Sequence, residues 1–236
     1  MTDRVFFSDL RGLVADMKVW ILNGSVHTGK TTFLTRWCER VRRDEGNKTL
    51  FGVLSGPDDE EGRRQVTLLP SEECRRLQCS PKESEELQKQ RDSGKEGVRE
   101  TVTVGAYTFF SDIMQWTCDN LLRLAEDACK IAQESADKNF FFILDEVGPL
   151  EIVRGMGFEP FVSELFRGEH FSDLRKLSNF NIIVVVRDTM VNRFSAKYLA
   201  GASEPIQTAN FDPQCPIWLA YSEGIDPQFP YIPESK

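Results

Sequence analysis

Apolar residues recur along this chain in two rhythms. Lys18 to Asn23 (KVWILN), Thr49 to Ser55 (TLFGVLS), Phe140 to Leu144 (FFFIL) and Asn181 to Val186 (NIIVVV) are short runs that read as strands. The last two are continuous enough to predict burial on both faces. Between such runs the period lengthens to that of a helix. Thr31 to Asp44 gathers Phe33, Leu34, Trp37, Cys38 and Val41 on one face and leaves Arg36, Glu39, Arg40 and Arg43 elsewhere. Arg40, Arg42 and Arg43 suit the negative end of its dipole, with Gly46 as the C-cap. A long helix is expected from a Ser111 or Asp112 cap to about Ser135, with Ile113, Trp116, Leu124, Ala128 and Ile131 inward. Another is expected near Phe158 to Phe166. Strands alternating with helices predict an α/β fold whose mostly parallel sheet is flanked by helices.

Three stretches break that plan. Gly56 to Gly62 (GPDDEEG) is a turn, and Gln65 to Leu69 a return strand, which adds a small hairpin. Ser71 to Arg99 is crowded with Ser, Glu, Lys, Arg and Gln and reads as an exposed insertion or lid. Glu100 to Phe110 looks extended. After Tyr198 the chain is rich in Pro, and little regular structure is expected there. Residues 1–200 thus form the expected domain, with 71–99 as its polar insertion and 201–236 as a Pro-rich extension.

Composition narrows the function classes. With 29 Lys and Arg against 37 Asp and Glu, the formal net charge is −8, which argues against nucleic acid or an anionic membrane as partner. No apolar run approaches the ~20 residues of a membrane helix. Met1 to Asp9 carries no basic region followed by an apolar stretch, so a cytoplasmic protein is expected, acting as a monomer. In that setting the six Cys are expected as free thiols; with no C-x2-C and two His, a structural zinc site is not expected.

The chemistry is concentrated between the first strand and the first helix. Gly24-Ser25-Val26-His27-Thr28-Gly29-Lys30-Thr31 is a complete G-x-x-x-x-G-K-[ST], followed by Thr32. Gly24 and Gly29 allow a backbone that turns successive N–H groups toward phosphate oxygens, and the helix N-terminus adds its field. Lys30 can reach the β- and γ-phosphates, and the Thr31 hydroxyl can ligate Mg2+. His27 reads as a spacer, and His170 as a surface residue.

A second element ends the strand Phe140 to Leu144: Asp145 and Glu146. A buried strand that delivers an acid beside a phosphate loop is a way of holding Mg2+, usually through water, and Asp145 fits that ligand. Glu146 points differently and can take a proton from an attacking water. Glu151, past the Gly148-Pro149 turn, competes for the role of base. Arg187, directly after the apolar strand, can neutralise charge on a transferring phosphoryl group, with Arg193 as substitute, or equally can pair with Asp188 or another surface acid. Two lookalikes fail: Asn47-Lys48-Thr49-Leu50 lacks the Asp of a guanine-reading N-K-x-D, and Pro57 and acids follow Leu54-Ser55-Gly56 where a transporter-ATPase signature has Gly-Gln.

Asp145-Glu146-Val147-Gly148-Pro149-Leu150-Glu151 resembles the D-E-[IV]-G-x-[ML]-E motif of the small P-loop nucleoside triphosphatases, the family of cancer-related nucleoside-triphosphatase and its bacterial and archaeal relatives. Gly155-Met156-Gly157-Phe158 is similar to a G-x-G-aromatic stretch of some bacterial members, and Val104-Gly105-Ala106-Tyr107 to the family's V-G-x-Y element. The family's Arg-Gly-rich hairpin is reduced here to Gly62-Arg63-Arg64, and the segment from Ser71 to Arg99 is longer and more polar. The resemblance, over Lys18 to Tyr198, implies a RecA-like sheet, Mg2+ dependence, and slow hydrolysis of several nucleoside triphosphates, ATP and GTP among them, to diphosphate and phosphate. Two other readings stay open: a nucleotide or small-molecule kinase whose lid draws on Arg75, Arg76, Arg91 and Arg99, and a nucleotide-gated switch.

Overall fold

The structure, a computed structural model, describes residues 17–24, 29–43, 47–56, 58–200 and, as backbone, 207–210. Its centre is a sheet that the apolar runs assemble. β1 (Lys18–Gly24) leads to α1 (Lys30–Arg43), and β2 (Lys48–Ser55) is followed by the short antiparallel strands β3 (Gln65–Leu69) and β4 (Cys74–Arg76). After α2 (Pro81–Asp92) and a separate hairpin, β5 (Thr101–Val104) with β6 (Tyr107–Phe110), the chain enters α3 (Ser111–Glu134). β7 (Asn139–Val147), α4 (Pro149–Ile152), α5 (Glu159–Arg167), β8 (Phe180–Arg187), α6 (Val191–Tyr198) and β9 (Gln207–Asn210) complete it. The seven-stranded sheet has the order β4-β3-β2-β7-β8-β1-β9, and from β2 to β9 every neighbour pairing is parallel.

The central strands are apolar along most of their length because their two faces meet two different cores. Phe140, Phe142 and Leu144 of β7, with Phe180, Ile182, Val184 and Val186 of β8, point into a large core shared with α3, α5 and α6. Phe141, Ile143, Ile183 and Val185 point the other way, onto Leu34, Trp37, Cys38 and Val41 of α1. Trp37 meets Phe141 edge-on with centroids 5.3 Å apart. A helix on each face is what a parallel sheet of such strands requires.

Several expectations are corrected. α3 has neither Ser111 nor Asp112 as its cap; Phe110 occupies that position without a side-chain cap bond. Asp112 instead pairs with Arg99 at 2.8 Å. The buried stripe of α3 is Ile113, Met114, Thr117, Cys118, Leu121, Ala125, Ala128 and Ala132. Trp116 and Leu124 are half-buried flankers and Ile131 is 41% exposed. The stripe is large at its N-terminal end, with Ile113, Met114 and Leu121, and small toward its C-terminal end, with Ala125, Ala128 and Ala132. β9 is a strand in the Pro-rich extension, where little regular structure was expected; it pairs parallel with β1 from Trp20↔Gln207 to Asn23↔Asn210. The rest of that extension, the Gly46 cap, His27 and Cys215 lie outside the described residues.

The polar insertion is structured. α2 buries none of its own residues and is held by a Ser80–Glu83 capping box. All four of its arginines have partners: Arg75 stacks on Trp116 at 3.9 Å, and Arg76 pairs with Glu83 at 2.5 Å. Arg91 donates to Thr101 Oγ1 at 2.8 Å, and Arg99 pairs with Asp112. The five described cysteines are free thiols. Among the described residues no helix is long and apolar enough to cross a membrane.

Gly52 fixes how closely β2 and β7 approach. Its φ is +114°, and a Cβ there would lie 2.0 Å from the Ile143 carbonyl oxygen, a backbone atom that cannot yield. Gly52→Ala is expected to cost about 2–3 kcal/mol of stability, read as a lower urea midpoint. An unchanged midpoint would show that the two strands can part without loss.

Candidate active site

β1 delivers the chain to the phosphate-loop motif, and α1 begins immediately after it. Ser25, Val26, His27 and Thr28 lie outside the described residues, so the loop is seen through its two shoulders. On one side is Gly24, the last residue of β1. On the other, Gly29 has a φ of +91°, and its carbonyl accepts from Phe33 N at 2.9 Å, the first full turn of α1. Lys30 joins the shoulders: its Nζ donates to Gly24 O at 2.8 Å. Burial lowers the pKa of this amine, opposed by Asp145 and Asp188 and assisted by Arg187.

Thr31 and Asp145 meet. The Thr31 hydroxyl donates to Asp145 Oδ1 at 3.3 Å, and Ser55 N, at the end of β2, donates to Oδ2 at 3.0 Å. Ser55 Oγ donates in turn to Asp145 O at 3.2 Å. The carboxylate is 0% exposed. Burial pushes its pKa up to about 6, against the pull of Ser55 N, Thr31, Arg64 and Lys30.

Glu146 should, by the pleat of β7, follow Phe140, Phe142 and Leu144 into the large core. The strand avoids burying it by a bulge. Leu144 pairs with Val184, but the partner of Val186 is Val147, so one extra residue is inserted between them. Glu146 takes a φ of +70°, rare for a residue with a Cβ, and Val147 fills the core place instead. The carboxylate is thereby turned to the cavity above the strand ends, where it forms an ion pair with Arg64. The Arg64 guanidinium lies 5.5 Å from the centroid of Tyr107.

Arg187 stands at the end of β8, in register with Gly24. A cavity of about 510 Å3 is lined by Gly29, Lys30, Thr31, Thr32, Arg64, Glu146 and Arg187 among others. Gly24 and Asp145 are not in its lining but brace Lys30 and Thr31 from beneath. Arg193, on α6, is exposed and does not line it, and neither does any of the four insertion arginines.

Glu151 is elsewhere. It is 4% exposed and lines a neighbouring cavity, where its carboxylate accepts from Gly148 N at 2.9 Å and Phe158 N at 3.2 Å. A Cβ on Gly157 would lie 2.3 Å from Glu151 Oε1, so the glycine (φ +67°) leaves room for the acid. These bonds tie Glu151 to the turn after β7, outside the cavity that Glu146 shares with Lys30. Burial raises its pKa to about 7, against the bonds from Gly148 and Phe158 and the charge of Lys197.

Arg64 is the residue the sequence reading did not assign to the site. It was visible only as the end of Gly62-Arg63-Arg64, and nothing local indicates that its partner lies on β7. Ser55 was missed for the same reason: its two bonds to Asp145 depend on β2 lying beside β7.

Because the folded pKa of Glu151 exceeds its ordinary 4.5, the folded state holds the extra proton between pH 4.5 and about 7, and stability falls as pH rises through that window. Asp145 adds to the same trend from its ordinary 3.8 to about 6. The Glu151 share is about 3 kcal/mol at full ionisation. Denaturant titrations at several pH values should show a smaller loss toward neutrality in Glu151→Gln than in the wild type. Equal losses in both proteins would remove Glu151 as the cause. Compared with protein-family models and with curated proteins, the chain matches none.

Proposed function

We propose that this chain is a Mg2+-dependent nucleoside triphosphatase on a RecA-like P-loop sheet, cleaving ATP, GTP and other nucleoside triphosphates to diphosphate and phosphate with relaxed base preference. The observation that carries the reading is the Thr31–Asp145 contact at 3.3 Å, which joins the residue after the loop lysine to the acid of β7. The sheet supports it, since β8 stands between the loop strand β1 and the acid strand β7, an order compatible with a RecA-like fold.

The donors present suit Mg2+. Thr31 and Asp145 offer hard oxygens, and among the described residues there is no group of three or more His, Cys, Asp or Glu that would enclose a metal. Such a set fits an ion that fills its shell with water and phosphate oxygens. Bound there, Mg2+ supplies charge that draws electron density from the phosphoryl oxygens. The chain's own residues do the rest. Lys30 exchanges the Gly24 carbonyl for β- and γ-phosphate oxygens. Arg64 and Arg187 face the same cavity, where a triphosphate with several negative charges competes for the Arg64 guanidinium against the single charge of Glu146. Arg64, drawn to phosphate, releases the Glu146 carboxylate, which then accepts a proton from the attacking water.

Lys30→Ala is expected to lower hydrolysis by about 10²-fold or more, because one preorganised charge on the reacting group is lost. Near-normal turnover in the folded variant would sink the reading. Asp145→Asn is expected to weaken Mg2+-nucleotide engagement together with turnover. Glu146→Gln should retain binding while single-turnover hydrolysis falls by roughly 10² to 10⁴. Full hydrolysis in Glu146→Gln with loss in Glu151→Gln would move the base to Glu151.

Arg64→Ala tests the exchange. It frees Glu146 but removes the cation, so hydrolysis should fall by about 10²-fold with nucleoside diphosphate affinity kept. A rate equal to or above wild type would make Arg64 a restraint only. Arg187→Ala, assayed beside it, reports how far the second guanidinium shares the charge.

A further inference from the structure

Hydrolysis needs room for one water beside the γ-phosphate, a volume of about 30 Å3. On the far side of Glu146 the structure holds much more. A second cavity of about 410 Å3 adjoins the first, and the two share Ser55, Arg64, Tyr107, Glu146, Gly148 and Arg187. The second has the size of a small-molecule site and is mostly apolar with a few convergent polar groups.

Its lining describes an occupant. Tyr107, Phe109 and Phe158 offer ring faces and edges, and Leu77 and Met114 offer apolar contact, the surroundings of a planar ring. Glu151 lines this cavity and not the first, and its carboxylate oxygens each accept one backbone N–H. A carboxylate oxygen has a second lone pair, which suits the N–H edge of a heterocycle. Glu146 stands at the junction, within both linings, where a hydroxyl on the same molecule would meet the reacting phosphoryl group.

We propose that the second cavity is an acceptor subsite for a hydroxyl-bearing heterocycle of nucleoside size, which takes the γ-phosphoryl group in place of water. The inference rests on the triphosphatase reading of the first cavity and adds a second substrate to it. In the transfer, the acceptor oxygen forms a bond to the γ-phosphorus. The bond from that phosphorus to the β–γ bridging oxygen breaks, and the nucleoside diphosphate leaves with the electron pair. The hydroxyl proton passes to Glu146. No oxidant or further co-reactant is needed, and with the cavity vacant a water makes the same attack.

The test supplies the full chain with Mg2+, ATP and, in turn, adenosine, guanosine, cytidine, uridine and thymidine, and follows ADP, phosphate and nucleoside monophosphate by chromatography. With at least one nucleoside, monophosphate should appear mole for mole with ADP, and phosphate per ADP should fall at least tenfold. Val153 lines only the second cavity and is 57% exposed, so Val153→Trp can fill the cavity from its surface side. Ala106→Trp, from the turn of the β5–β6 hairpin, repeats the test at another exposed lining position. Either variant should return the products to ADP and phosphate. ADP and phosphate without monophosphate for all five nucleosides would overturn the subsite and leave the triphosphatase standing. Monophosphate formation undiminished in both Trp variants would overturn it as well. Absence of ADP from every mixture would overturn the triphosphatase reading, and the subsite with it.

Discussion

The buried carboxylate of Asp145 is the constraint on which the rest of the site depends. An acid that is 0% exposed is costly to keep ionised, and its partners decide whether the cost is met. Two of them are the Thr31 hydroxyl on α1 and Ser55 N on β2. The carboxylate thus ties the first turn of α1 to the ends of β2 and β7, three elements far apart in sequence. Burial raises its pKa to about 6, so Ser55, Thr31, Arg64 and Lys30 offset only part of the cost of ionising it. A cation beside it would complete that balance.

The same strand explains why Asp145 and Glu146, adjacent in sequence, do different work. An unbroken pleat would send one side chain toward α1 and the next into the core under α3 and α5. Asp145 follows the pleat, on the side of Phe141 and Ile143, and so reaches Thr31. Glu146 leaves it through the bulge and the left-handed backbone, and Val147 takes the vacated core position. Backbone of this kind costs of order 1–3 kcal/mol, and it persists because the alternative is a buried, unpaired acid.

How much of this was legible in the chain follows from what each signal encodes. The central strands and α1 were readable because local apolar period and burial agree; the observed ends of β1, α1, β2 and β3 fall within about one residue of the expected ones. The face of α3 was legible in part: Ile113 and Ala128 are buried as expected and Trp116 and Leu124 flank them, but Ile131 is exposed, and the buried stripe is turned toward Thr117, Cys118, Leu121 and Ala125. β9 was missed because Gln-Thr-Ala-Asn has no apolar rhythm; its pairing is provided by β1. Lys30, Thr31 and Asp145 announced themselves by motif. Arg64 and Ser55 did not, since their value lies wholly in a partner on β7.

Charge around the first cavity bears on what the proposed Mg2+ would add there. Lys30, Arg64 and Arg187 face Asp58 and Glu146 across the cavity, with Asp145 beneath. Asp188 adds a fourth acid beside Lys30, so the three cations leave no positive excess, within a chain whose formal net charge is −8. At physiological ionic strength charges farther than ~8 Å are largely screened, so the local balance outweighs the distant excess of acids. A near-neutral cavity has little field of its own for a polyanion, and its cations are partly spent: Arg64 on Glu146, Lys30 on a carbonyl. A divalent cation brought in with the phosphates changes the sum. On the proposed reading it would favour the ionised form of Asp145 and offset part of the charge of the phosphates it accompanies. The phosphate oxygens can then draw Lys30 and Arg64 from their present partners. The proposed dependence on Mg2+ thus has an electrostatic ground before any chemical step, because the protein's own charges leave no positive excess at the site.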